Sequence, residues 1–416
     1  MIMNKNPPKP KFVIVIPDGA ADSPIEELGD KTPLEVASKP FMDEVALTGR
    51  IGTVRTTPEK FLPGSDVCTL SLLGYDPAKY HPGRAPLEAA AMGLKLNPDQ
   101  WVFRCNFVTV VDGKMVDHSA GHLKDAEARE LIAALESRVL NTDRFADIKL
   151  HPGVSYRNLM TIGGTDFGRI KTTPPHDIPD QPVAPYLPRG PESRILLDLM
   201  TEARHVLQTH DVNSVRTQFG EKPATDIWLW GQGKAASLPS FEQRFGIYGA
   251  MLTSVDLLRG IANLLGWRNV DVPGMTSYHD NDYAAQGRYT VQALDEFDIV
   301  CTHIEAPDEA SHQSDYVTKI AAIEAIDKHI VGPVLQKLRT FERWRILVMP
   351  DHATECITRK HHDARVPFAM AGAQRKGALP RPYTEKAARE SDLHVEHGHE
   401  LMDYFLSGLA GPHLVR

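Results

Sequence analysis

The chain has 416 residues, enough for two or three domains and a substantial core. Hydrophobic residues make up 42% and charged residues 24%, and the net charge is −8, a soluble globular balance that gives no global attraction to nucleic acid or anionic lipid. An anionic ligand would therefore need a local cluster of Arg or Lys. The opening MIMNKNPPKPKF lacks the apolar core of a secretory signal, and no run approaches the ~18 apolar residues of a membrane span. Cys68, Cys105, Cys301 and Cys356 are scattered without CxxC spacing, which reads as reduced, buried thiols in a cytoplasmic protein.

Along the chain, FVIVI (12–16) is a continuous apolar, β-branched run that ends in PDG. A helical pattern covers 86–94. VFRCNFVTVVDGKMVD (102–117) has the form of a hairpin with DG at its turn, followed by an amphipathic helix over 125–140 and a strand in YRNLMTIGG (156–164). The Pro-rich stretch 172–190 reads as a linker or ordered loop, and IWLW (227–230) as another strand. A helix over 253–265 precedes the run FDIVCTHI (297–304), which ends in EAPD. A helix over 318–338 carries Ile320, Ile323, Ile326, Ile330, Val334 and Leu338 on one face, and WRILVM (344–349) then ends in PDH. Runs of this kind suit strands buried on both faces. The alternation predicts an α/β fold, a sheet covered by helices on both faces, with a core domain over 1–100 and 181–416 and an inserted α+β unit over 101–180.

Five separated stretches carry the chemistry: IPDG (16–19), PGSD (63–66), EAPDEASH (305–312), PDH (350–352) and KHHD (360–363). Asp18, Asp308 and Asp351 all follow strand-like runs, the place where functional residues gather in open α/β sheets. Asp308 and His312 are four apart and share a helix face. Asp351 and His352 are neighbours at a strand end, and either His361 or His362 could complete the set. Mixed Asp and His donors without thiolate suit Mn²⁺, Mg²⁺, Co²⁺ or Zn²⁺ in a reactive site rather than a structural zinc knot. Two such ions bring four positive charges against three carboxylates, which would attract a phosphate dianion. Ser65 follows Pro-Gly at a predicted helix N-terminus. It reads as an N-cap or, with these ligands around it, as a nucleophile whose phosphorylated form the helix amides would cradle.

These motifs, in this order, resemble the archaeal-type 2,3-bisphosphoglycerate-independent phosphoglycerate mutases of the alkaline phosphatase superfamily. The similarity also takes in ELGDKTPLE (27–35), LSLLGYDPAKY (70–80), GRAPLEAA (83–90), FRCN (103–106), PPHDIP (174–179), VNSVR (212–216) and WLWGQG (228–233). The resemblance implies an alkaline phosphatase-like core and two divalent ions, Mn²⁺ foremost, with no 2,3-bisphosphoglycerate required. Asp308, His312 and His361 would bind one ion, and Asp18, Ser65, Asp351 and His352 the other. The resemblance implies His361 rather than His362, because the family places this ligand six residues before the second Pro of a PVP motif, a position that Pro367 fills. Ser65 would carry the phosphoryl group between the 2- and 3-positions of glycerate. Arg84, Arg104, Arg157 and Arg216 would meet the substrate's phosphate and carboxylate, His176 would contact substrate or move a proton, and the inserted unit would act as a lid. The small-molecule substrate is the expected partner, with no nucleic acid or membrane; a homo-oligomer is compatible with the sequence. Two positions depart from the family pattern. His122 stands where AGR is usual, and Arg288 stands where a Lys follows a DTNYEG-like segment. The competing reading is a metal-dependent phosphatase or related phospho- or phosphonoester hydrolase.

Overall fold

The computed structural model describes residues 9–373 and 381–407. Two compact units divide the chain: residues 1–81 with 238–416, and residues 82–237 between them. In chain order the strands are β1 (Lys11–Pro17) and β2 (Arg50–Val54) in the first unit, then β3 (Trp101–Val111), β4 (Lys114–Asp117), β5 (Ile148–Val154), β6 (Arg157–Ile162) and β7 (Asp226–Lys234) in the second. The chain returns to the first unit with β8 (Gly249–Leu252), β9 (Arg268–Asn269), β10 (Ile299–Ile304), β11 (Trp344–Val348), β12 (Ala353–Glu355), β13 (Lys360–His362), β14 (Val366–Gly372) and β15 (His394–Val395).

The first unit holds an eight-stranded sheet in the order β15-β2-β14-β11-β1-β10-β8-β9. Its centre is parallel: β1 lies between β10 and β11, and β8 extends the array beyond β10. β14 runs antiparallel to both β11 and β2. Residues 12 to 16 of β1 are all fully buried, so both faces of the strand are covered. Val13 and Val15 share a core cluster with Ile323, Ile326 and Ile330, while on the other face Phe12 meets Phe405 edge-on, ring centroids 5.6 Å apart. That two-sided burial is why the strand reads as one unbroken apolar run, and it confirms the α/β expectation. The helical pattern expected over 318–338 is realised by Tyr316–Ile326, a π-turn at Asp327–Val331, and Gly332–Leu338.

The second unit is an antiparallel sheet around the long strand β3, which pairs with β6 and β7 and, at its far end, with β4. At the β3–β4 hairpin, Asp112 and Gly113 both adopt positive φ (49° and 71°), the backbone that an Asp-Gly turn supplies. This unit is wider than the 101–180 insert expected from texture. IWLW lies in β7, antiparallel to β3, not in the large sheet. An apolar run reports burial on two faces, and Ile227, Trp228, Leu229 and Trp230 are indeed buried, but it does not report strand direction. Residues 172–190 are an ordered loop within the unit. Lys171 and Arg189 exchange backbone hydrogen bonds (2.8 and 3.0 Å), and Trp228 Nε1 donates to the Thr173 carbonyl at 2.8 Å. All four cysteines are buried and unpaired. Among the described residues, no helix is long and apolar enough to cross a membrane.

Candidate metal centre and arginine cluster

The site in the first unit is built at the carboxyl ends of neighbouring strands. Asp18 follows β1, and the chain turns at once through Gly19, whose φ is +61°. A Cβ on Gly19 would fall 2.6 Å from both Asp308 Oδ1 and Thr354 Oγ1, so the PDG turn leaves no room for a side chain. β10 runs into the helix Ala306–His312, where one turn of spacing puts Asp308 and His312 on the same face; the Nε2 of His312 is 3.1 Å from Asp308 Oδ2. Asp351 and His352 follow β11, and both are fully buried. The β12–β13 ribbon then returns His361, whose Nε2 is 3.0 Å from His312 Nε2 and 3.4 Å from Asp308 Oδ1. His362, on the other face of the strand, is exposed and pairs with Asp363.

The ligand atoms of Asp308, His312 and His361 all lie within 4.8 Å of one another, and so do those of Asp18, Asp351 and His352. Ser65 joins the second group. It is the first residue of the helix Ser65–Leu72 and caps nothing; Gly64 holds the N-cap position. Its hydroxyl instead donates to Asp18 Oδ2 at 3.1 Å and lies 3.3 Å from His352 Nε2. The N-cap alternative is thereby replaced by a hydroxyl turned into the ligand group.

The electrostatics of the groups fit divalent ions. Burial, with the carboxylates of Asp351 and Asp308, pushes Asp18 well above the usual carboxylate range. Burial acts to raise Asp308 as well, but its hydrogen bonds with His312 and His361 prevail and hold it well below that range. The same bond to Asp308 pushes His312 up to about 9. Asp18 Oδ1 and Asp351 Oδ2 are buried with no hydrogen-bond donor. Buried, crowded carboxylate oxygens without donors, faced by imidazole nitrogens, form a donor set that hard or borderline divalent cations satisfy.

Two neighbours escaped the sequence reading. His303 is buried with Nε2 3.0 Å from Asp18 Oδ2, and Glu305, pushed well up by burial and by Asp18, completes a third triple with them. Both lie in HIEAPDEASH. The available signal was position: each is within two residues of the end of β10, where the chemistry of this sheet gathers.

The second unit carries a different cluster. Arg104, on β3, is buried, pairs with Glu88 at 2.7 Å and stacks its guanidinium over the Trp230 ring, 4.2 Å from the centroid. Gly231, at φ +62°, lies between two arginines. A Cβ there would be 3.4 Å from Arg104 Cδ and 4.0 Å from Arg84 Cβ. His176 meets Trp230 edge-on at 5.2 Å, and His118 stands 6.2 Å from His176 and 6.1 Å from Tyr156. Arg157, at the start of β6, lies over Tyr156. Burial lowers Arg104, as do the charges of Arg84 and Arg157. Burial likewise lowers His176, and Arg104 and Arg84 add to the shift. Arg84, Arg104, Arg157 and His176 thus form one cationic group within this unit.

Arg216 does not belong to that group. It is buried, donates to Glu127 at 2.7 Å and to the carbonyls of Lys222 and Ala120, and lies 3.0 Å from Glu221. Its donors go to groups of the second unit's own fold, and the structure does not bring it together with the other arginines. Of the two departures, His122 stands by Tyr156, ring centroids 6.4 Å apart, at the edge of the cationic cluster. Arg288 lines a depression with Val291, Gln292, His329 and Lys337 and has no place in either cluster.

Residues 46–213 match the model of the family described as 2,3-bisphosphoglycerate-independent phosphoglycerate mutase. The chain is 46% identical to the protein of that name from Methanothrix thermoacetophila, over 96% of this chain and 100% of the relative. The chain belongs to the 2,3-bisphosphoglycerate-independent phosphoglycerate mutase family. A second member, the mutase 2 of Methanothermobacter thermautotrophicus, is 45% identical over 96% of this chain and 98% of its own. Among solved structures, the cofactor-independent phosphoglycerate mutase of Thermoplasma acidophilum DSM 1728 superposes with TM-score 0.68 at 26% identity, covering 97% of this chain and all of the other. The PH0037 protein from Pyrococcus horikoshii superposes with TM-score 0.79 at 25% identity, covering 95% and 96%. Membership of this mutase family makes the chain an isomerase, and the mutase fold here carries the divalent-ion donor groups described above.

Proposed function

We propose that this protein interconverts 2-phosphoglycerate and 3-phosphoglycerate through a phosphoserine at Ser65, with two divalent ions, Mn²⁺ foremost, and that it does so in the cytoplasm. The observation that carries the reading is the Ser65 hydroxyl, turned away from helix capping and held between Asp18 and His352. Asp308, His312 and His361 would hold one ion; Asp18, Asp351, His352 and Ser65 would hold the other. When bound, such ions stabilise charge on the transferring oxygens and make a serine hydroxyl easier to ionise.

The chain's own groups account for the rest. Ser65 Oγ forms a bond to phosphorus as the bond from phosphorus to the glycerate oxygen breaks. Asp18 Oδ2 is the acceptor toward which the hydroxyl proton already points. The helix starting at Ser65 directs its free amides at the new phosphoryl group. The guanidinium groups of Arg84, Arg104 and Arg157 suit the phosphate and carboxylate of the substrate, with forks that point charges cannot match. His176, kept neutral by burial and by neighbouring arginines, can both accept and donate a proton to a glycerate hydroxyl. Glycerate must stay bound while its other hydroxyl takes the phosphoryl group back, and exclusion of water separates a mutase from a phosphatase.

The test is the metal-reconstituted protein with 3-phosphoglycerate, following 2-phosphoglycerate and inorganic phosphate together. Isomer forming far faster than free phosphate supports the mutase. Phosphate release outpacing isomer selects the hydrolase and defeats this reading.

A further inference from the structure

Thr354 lies in the middle of β12, directly across the ribbon from His361, in register with it. It is fully buried. Its hydroxyl lies 2.5 Å from Asp308 Oδ1 and 3.1 Å from His352 Nδ1. One side chain therefore touches a member of each ligand group and is the cross-strand partner of a third ligand. The backbone of Thr354 is fixed as firmly. Its N–H donates to the Ala21 carbonyl at 3.1 Å, and its carbonyl accepts from Lys319 Nζ at 2.8 Å. Lys319 is itself wholly buried and paired with Asp22 at 2.8 Å. Asp22 in turn accepts from the backbone N–H of Cys356, two residues beyond Thr354, at 3.2 Å.

We infer that Thr354 is a positioning residue that couples the two ion sites, held in place by the buried Lys319–Asp22 pair; the inference rests on the two-ion reading above. The proton inventory fixes the direction of each bond. A hydroxyl has one hydrogen, and an ionised Asp308 can only accept, so that hydrogen goes to Oδ1. Thr354 Oγ1 is left as an acceptor, and His352 must then carry its hydrogen on Nδ1. The Nε2 lone pair of His352 is thereby exposed toward Asp18, Asp351 and Ser65, the tautomer an ion ligand requires. Moving Thr354 would disturb Asp308 in one group and His352 in the other by the same displacement. The bare Gly19 next to it is what allows the hydroxyl and Asp308 to approach so closely.

The experiment compares wild type with Thr354→Val, which keeps the branched shape and loses the hydroxyl, and Thr354→Ser, which keeps the hydroxyl. Metal-stripped proteins are titrated with Mn²⁺ in competition with a chelator, and thermal melting without metal controls for folding. Wild type binds two ions; Thr354→Val weakens both by about 10- to 100-fold, the range for loss of an outer partner of a metal ligand, and Thr354→Ser stays within about threefold of wild type. Should the Val variant fail to fold, Thr354→Ala, which also lacks the hydroxyl, is titrated instead and shows the same paired loss. Two ions bound with unchanged affinity in the variant, or only one affinity lowered, or Ser behaving as Val does, overturns the coupling role alone. A wild type that binds fewer than two ions overturns the two-ion reading, and this inference with it.

Discussion

The metal centre and the arginine cluster solve opposite electrostatic problems. In the first unit, buried carboxylates crowd one another and two of their oxygens lack any donor, a set that divalent cations would satisfy. In the second, guanidinium groups and imidazoles lie together, stacked on Trp230 and Tyr156 and partly neutralised by Glu88. One region asks for positive charge and the other for negative charge. The contrast also separates roles: variants of the first region should change ion content and chemistry, variants of the second substrate affinity and product partition.

The largest effect belongs to Ser65→Ala. Loss of the nucleophile should lower isomerisation by roughly 10⁴-fold or more while ion content stays near wild type, measured by steady-state turnover and metal analysis of the same sample. Turnover close to wild type would remove the covalent route. Next comes the pair His361→Ala and His362→Ala. The first should weaken ion binding by more than the ~100-fold typical of an outer partner, and the second should leave it unchanged, because only His361 faces Asp308 and His312. Equal effects from the two would erase the distinction between the faces of β13.

Arg104→Met should lower kcat/KM by roughly 10- to 100-fold, the worth of one charge-assisted hydrogen bond, with ion content intact. Arg216→Met should behave otherwise. It removes the guanidinium that meets Glu127, Glu221 and the carbonyls of Ala120, Gly121 and Lys222, so a loss of about 3 kcal/mol should appear in chemical denaturation of the second unit. The smallest effect concerns His176. Its pKa lies below the ordinary 6.5 through burial and then the arginines, so it is neutral at pH 7. Its contribution to stability is complete above pH 6.5 and declines as pH falls below that value toward its own midpoint, because the unfolded chain protonates first. In Arg104→Met the His176 midpoint, followed by NMR titration, should move upward. An unmoved midpoint would place Arg104 outside the His176 environment.

Much of the first unit was legible because its signals are local. FVIVI, FDIVCTHI and WRILVM read as two-sided strands, and each delivers an acidic residue at its end. The Asp112-Gly113 turn was legible for the same reason, since backbone geometry restricts which residues fit. The extent of the second unit was not legible, because β7 joins β3 from more than a hundred residues away and nothing in IWLW encodes its partner. The surroundings of Arg216 were not legible either, because an arginine in a family motif looks the same whatever its guanidinium meets. His303 and Thr354 were passed over for the complementary reason. A buried residue that steadies a ligand has no spacing signature of its own, and only the contacts to Asp18, Asp308 and His352 disclose it.

The most direct measurement is rapid quenching of the Mn²⁺-loaded protein during turnover of 3-phosphoglycerate, followed by peptide mass spectrometry across residues 60–75. Phosphate on Ser65, appearing no later than 2-phosphoglycerate, is the predicted result. Formation of 2-phosphoglycerate with Ser65 unmodified at every time point would contradict the account.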